Sequence, residues 1–261
     1  MRCPLPLWGE SVKMDTNNNQ INDPNSKSLY KVGGAAALII VVMYLLALII
    51  YIPPTLAGPP ENVIEWFTLF QENPIVGLFF LGFADIIIVI STGPMFLALY
   101  TALKRTNKTW SLIATSFSFV GIAVYLATNT AFSMLTLSQQ FATTTTAADK
   151  SRLLAAGESI LAMSEGTGGR YLSLPLIWLC IFIISLLMQH SQSFSKLTSW
   201  VGIVGFPLLI AGTPFAGYTT TGPTTPVVSV MIAISYLGGG LLSLLWYILV
   251  GLRLIKLGRS G

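Results

Sequence analysis

The chain has 261 residues, of which 53% are hydrophobic and only 9% charged, with a mean hydropathy of +0.73. An ordinary globular protein is about a quarter charged. Too few charges remain to coat a soluble surface, which excludes a water-soluble enzyme, a disordered protein and a nucleic-acid binder. The formal net charge is +4, and where those few charges lie explains the basic balance better than a nucleic-acid partner does.

In chain order, residues 1–30 come first and are polar, with Asn17, Asn18, Asn19, Asn22, Asn25, Ser26 and Ser28. They read as a disordered tail. They do not read as a secretory signal, because no apolar stretch of about 7–15 residues follows an early basic cluster. Met14 is a second candidate start. Residues 31–261 then carry six apolar segments at about 33–53, 75–101, 111–136, 171–189, 198–217 and 227–252. A hydrocarbon core of about 30 Å needs about 20 helical residues at 1.5 Å each. The expected fold is an all-α polytopic bundle of six transmembrane helices, with the lipid bilayer as its first partner.

The basic residues test this assignment. With a cytoplasmic N-terminus, Arg2, Lys13, Lys27, Lys31, Lys104, Arg105, Lys108, Lys196, Arg253, Lys256 and Arg259 fall inside. Lys150, Arg152 and Arg170 fall outside, which completes the 14. The positive-inside rule therefore places both termini in the cytoplasm. Glu61, Glu65, Glu72, Asp149, Glu158 and Glu165 lie outside, a weaker signal because acids contribute little to orientation. Trp110, Trp200 and Trp66 sit where aromatic belts are expected.

Two outer connections are more than turns. Residues 60–71 carry Val63, Ile64, Phe67 and Phe70 at helical spacing, which predicts a short interfacial helix. After the threonine tract Thr143 to Thr146, Thr146-Ala-Ala-Asp149 resembles a capping box. It opens a stretch in which Leu153, Leu154, Ile160 and Leu161 share one face. Gly157 falls in the middle of that stripe, where an interior glycine costs about 1 kcal/mol against alanine. Gly168-Gly169 is the expected stop. An outer amphipathic helix between spans three and four follows. It is either a lid resting on lipid or the bundle, or a gate or docking surface for a membrane protein partner.

Asp85 is the most informative single residue. About ten residues into segment two, between LFFLGFA and IIIVI, it is expected near mid-membrane. A carboxylate there costs about 2.5–3.5 kcal/mol on insertion scales. It is either a hydrogen-bonded structural group or one that handles a proton or cation. Segment three runs the opposite way and brings Tyr125, Thr128 and Asn129 to a similar depth, at i, i+3 and i+4 on one face. Tyr236 of segment six is expected at that depth too. These five residues are the candidate substrate or ion site, and routine interhelical hydrogen bonding is the alternative reading of each.

Other features point to packing. Ser91-Thr92-Gly93-Pro94 predicts a kink in segment two. Gly238-Gly239-Gly240, with Ser235 and Ser243 four residues either side of Gly239, predicts close helix contact. Cys3 and Cys180 read as free thiols and His190 as an interfacial residue. No HExxH, GxSxG or Walker signature is present. No catalytic constellation, metal site or cofactor is therefore expected.

The stretches LYKVGGAAALIIVVMYLLALII (29–50) and TNTAFSMLTLSQQFATTTTAADKSRLLAAGESILA (128–162) resemble a prokaryotic family of six-span membrane proteins. That family is catalogued as domain of unknown function forty-three eighty-six. The most specific part is Ser138-Gln139-Gln140-Phe141-Ala142 with the threonines and LLAAGE behind it. The resemblance, over about residues 28–255, implies six spans in a bacterial or archaeal cell membrane and assigns no binding or catalytic residue. Two functions lead, and a membrane-embedded enzyme is third because it needs a second ionisable group near Asp85 that the sequence does not supply. One is a small transporter or permease-like protein that moves a small molecule or ion by way of Asp85. The other is a non-catalytic sensor or assembly partner whose polar core is structural.

Overall fold

A computed structural model describes residues 24–51, 60, 62–166, 169–219 and 225–259. The expected tail lies largely outside these, but its last residues are already helical. Pro24 opens the first helix, a position where its missing N–H costs nothing. In chain order the helices are α1 (Pro24–Tyr51), α2 (Val63–Glu72), α3 (Pro74–Phe80), α4 (Phe83–Leu103), α5 (Lys108–Thr128) and α6 (Ala131–Thr143). There follow α7 (Ala147–Gly166), α8 (Gly169–Gln189), α9 (Lys196–Thr219), α10 (Pro226–Ala233), a π-helical segment (Ile234–Gly238) and α11 (Gly239–Arg259). No strand occurs among the described residues.

Six stretches are long and apolar enough to span a bilayer: Ser26–Ile49, Phe83–Leu103, Lys108–Thr143, Leu172–Gln189, Lys196–Pro214 and Pro226–Arg259. They close a ring in chain order. α1 packs on α4 and α11, α4 on α5, α5 on α8, α8 on α9, and α9 on α11. Small residues set the closest approaches. A Cβ on Gly34 would lie 2.8 Å from the carbonyl oxygen of Gly251, so α1 and α11 meet backbone to backbone. Within the ring, Met95, Phe96, Leu99, Phe206, Trp246 and Tyr247 are fully buried. Trp246 meets Phe206 edge-on at 5.4 Å between ring centroids. The outward faces expose Val42, Ile49, Phe117, Val120 and Leu252. Apolar surface of that extent belongs against lipid.

The two ends of the ring differ. The start of α1, the α4–α5 turn, the α8–α9 turn and the end of α11 lie together. They carry Lys27, Lys31, Lys104, Arg105, Lys108, Lys196, Arg253, Lys256 and Arg259. This is the basic end. The other end carries a helical cap of α2, α3, α6 and α7 with its own apolar core of Val63, Trp66, Phe67, Phe70, Phe80, Met134 and Leu161. Ser138 Oγ donates to the Phe67 carbonyl at 2.9 Å and ties α6 to α2. Thr146 Oγ1 accepts from the Asp149 N–H and donates to its carboxylate, so Thr146 caps the start of α7, with Asp149 bonded to the cap hydroxyl where a full capping box would use the cap N–H.

The cap revises several expectations. The α7 stripe rests on α2 and α6: Leu161 is buried, and Leu154 and Ile160 pack on the cap core. Gly157 does not weaken this arrangement. A Cβ there would lie 2.6 Å from Val63 Cγ1 and 3.1 Å from Phe67 Cζ, so the glycine is what lets α7 approach α2. Ile64 is 56% exposed and does not join the buried face of α2. Trp66 is not a belt residue; it is buried under Phe70 and Phe80. Trp110 and Trp200 at the basic end are exposed as a belt requires.

The triglycine is only partly a contact. Gly239 faces Gly205 of α9, where a Cβ would lie 3.0 Å from the carbonyl oxygen, whereas a Cβ on Gly238 or Gly240 would meet nothing within 4 Å. Ser235 packs where Gly212 lacks a side chain. Pro94 lies inside an unbroken α4. The discontinuity of this segment is elsewhere, at Leu81-Gly82.

Candidate functional site

Segment two is two helices. Asn73 caps α3, its side chain accepting from the Val76 N–H. α3 ends after seven residues, and Gly82 at φ +95° starts α4. Only glycine adopts that backbone conformation without strain. Segment three is divided as well. α5 stops at Thr128, Asn129 is extended at φ −71° and ψ 128°, and α6 begins at Ala131.

Both breaks lie at one level. α4 and α5 have 21 residues each between the shared turn at the basic end and the breaks, which is about 31 Å of helix. That is one hydrocarbon thickness. The Lys108–Thr143 stretch of 36 residues would be about 54 Å long, so its α6 part stands in the cap. Asp85 is therefore not halfway along the Phe83–Leu103 stretch. It occupies the first turn of α4, close to the boundary between bundle and cap. The sequence is apolar straight through Gly82, so a depth counted from Asn73 includes a helix that belongs to the cap.

Four groups meet at this joint. The Tyr125 hydroxyl lies 3.2 Å from Asp85 Oδ2 and 3.4 Å from the Gly82 carbonyl oxygen. It has one proton and donates to one of them at a time. Asn129 Nδ2 donates to the same hydroxyl at 3.5 Å, and Asn129 Oδ1 accepts the Ala131 N–H at 3.1 Å, covering the first N–H of α6. Asp85 is half-buried and Tyr125 is 4% exposed. A carboxylate in the first turn of a helix also meets the positive end of its dipole. The same few atoms thus bind α4 to α5, mark the end of α3 and start α6.

Two of the five expected site residues stand apart. Thr128 is exposed and donates to the carbonyls of Val124 and Tyr125 in its own helix. Tyr236 is on the π-helical segment with its ring against Gly212 of α9. Gly82 is the member that sequence reasoning missed. Its signal was Gly82-Phe83-Ala84-Asp85, a glycine cap followed three residues later by an acid, hidden inside an apolar run. Among the described residues no group of three His, Cys, Asp or Glu is placed to hold a metal ion.

This architecture defines an integral, multi-pass membrane protein with a helical cap at one end. The chain belongs to the family described as domain of unknown function DUF4386, whose model matches residues 32–256. Among curated proteins and among solved structures, no match to the chain is found.

Proposed function

We propose that this is a non-catalytic membrane protein whose cap is the working surface, offered to a partner or ligand, with Asp85 bracing α4 against α5 where the chain leaves the bundle for the cap. The placement of Asp85 carries this reading. Its carboxylate is engaged by Tyr125 where two helices break, next to the cap. The apolar face of α7 is already occupied by α2 and α6. A partner would meet its polar face, with Lys150, Arg152 and Glu158 exposed. We place the basic end in the cytoplasm of a prokaryotic cell, on the positive-inside rule and the family resemblance.

A permease is the second reading. Asp85 and the Tyr125 hydroxyl are hydrogen-bonded to each other, and an intramembrane acid beside a hydroxyl suits proton or cation handling. Asp85→Asn and Asp85→Leu separate the two. A structural Asp85 tolerates Asn, which accepts the same hydrogen bond, and does not tolerate Leu. Melting in detergent and proton- or cation-coupled uptake into vesicles are the measurements. An Asn variant that folds normally but loses an uptake seen with the unaltered chain would replace this reading with the permease.

A further inference from the structure

At the basic end, between the α8–α9 turn and α11, lies a cleft of about 510 Å³. Four of its lining residues, Leu249, Leu252, Arg253 and Lys256, come from α11. They sit at i, i+3, i+4 and i+7, so they form one stripe along one helix face. The stripe changes character along its length. The leucines lie on the side of the apolar span, and the two cations lie toward the helix end. Opposite them are Gln192 of the turn, Ser195, which caps α9 through the Thr198 N–H, and Thr198 itself. Among the described residues no carboxylate lines the cleft. Those in Glu65, Glu72, Asp85, Asp149 and Glu158 all lie toward the cap.

The guanidinium of Arg253 is already positioned. Its Nε donates to the Ser193 carbonyl of the α8–α9 turn, which holds the fork at the cleft before anything binds. A fixed guanidinium, an ammonium on a flexible stem and the one proton left over by the Ser195–Thr198 hydroxyl pair, which bond each other at 2.8 Å, suit a phosphate group, which offers several acceptor oxygens and negative charge. Basic pockets between spans at a membrane face are a recurrent setting for phospholipid headgroups. We propose that this cleft binds the phosphate of an anionic phospholipid, with an acyl chain running along Leu249 and Leu252. Soluble phosphate is the other source of the same chemistry.

The test uses the full chain in nanodiscs of phosphatidylcholine, into which phosphatidylglycerol is titrated, with thermal stability as the readout. A parallel arm adds inorganic phosphate to pure phosphatidylcholine discs. Lys256→Gln is the main variant, because Arg253 also ties down the turn. Lys108→Gln removes an exposed charge of the same end outside the cleft. Phosphatidylglycerol is expected to raise the melting temperature. Lys256→Gln should shift the half-saturating fraction roughly fivefold upward, the change expected for about 1 kcal/mol per cation. Lys108→Gln should leave it in place. A response to phosphatidylglycerol alone supports the lipid source. A Lys256-dependent response to inorganic phosphate supports the site with a soluble source. No response to either, or equal losses in both variants, would overturn the proposal, since equal losses mean diffuse attraction to the surface.

Discussion

The hydroxyl of Tyr125 on α5 sits 3.2 Å from the carboxylate of Asp85 on α4, at the level where both helices are interrupted. The pair links two adjacent spans and, through Asn129 and Gly82, the two helices that leave those spans for the cap. An intramembrane acid is usually taken first as a functional group. Here the carboxyl group is engaged by Tyr125 at the level of both breaks, which is what supports the structural role proposed above.

Tyr125→Phe should lower stability by about 1–2 kcal/mol, the cost of leaving buried polar partners unmade. Asp85→Asn should cost much less. Asp85→Ala, which removes the acceptor that Asn would keep, combined with Tyr125→Phe in a double-mutant cycle should give a coupling energy of at least about 0.5 kcal/mol. Strict additivity in detergent melts would mean the hydrogen bond contributes nothing.

Gly82→Ala should be worse than its size implies. The left-handed backbone costs an L-residue about 1–2 kcal/mol, and the new Cβ would stand 2.8 Å from the Tyr125 hydroxyl oxygen and 3.5 Å from Asp85 Oδ2. We expect a loss on the order of 2 kcal/mol or more in thermal or denaturant unfolding. A neutral result would remove the glycine from the joint.

Gly157→Leu should prise α7 off the cap, because Val63 and Phe67 occupy the space a side chain would need. The expected cost is about 1–3 kcal/mol, typical of overpacking, and limited proteolysis should cut α7 sooner. Ala155→Leu, on an exposed face of the same helix, should leave the proteolysis rate unchanged. Equal sensitivity in the two variants would deny the α7–α2 contact.

Cysteine labelling tests the orientation. In a background with Cys3 and Cys180 replaced by alanine, a cysteine at Thr145 in the cap should react with an impermeant reagent on intact cells. One at Thr106, in the turn at the basic end, should react only after the membrane is opened. The reverse pattern would invert the topology.

The sequence by itself determined the class of protein, the six apolar stretches and the uneven spread of charge. Each of these depends on residue type summed over about 20 positions, which no tertiary contact can reverse. It also revealed the start of α7 in Thr146 and Asp149, because a cap bonds to residues three positions away. Tertiary structure decided the rest. Hydropathy does not distinguish apolar residues facing lipid from apolar residues packing a cap, so the ends of α3 and α6 stayed hidden inside longer apolar runs. The place of Asp85 in the first turn of a new helix depended on the helix break at Gly82. Gly157 changed from a weakness to a contact once α2 lay across it. Tyr236 and Thr128 left the site because the side of a span that a residue faces is set by its neighbours in the ring. A close approach between distant segments has no local signature, and that is why only the folded chain could place these residues.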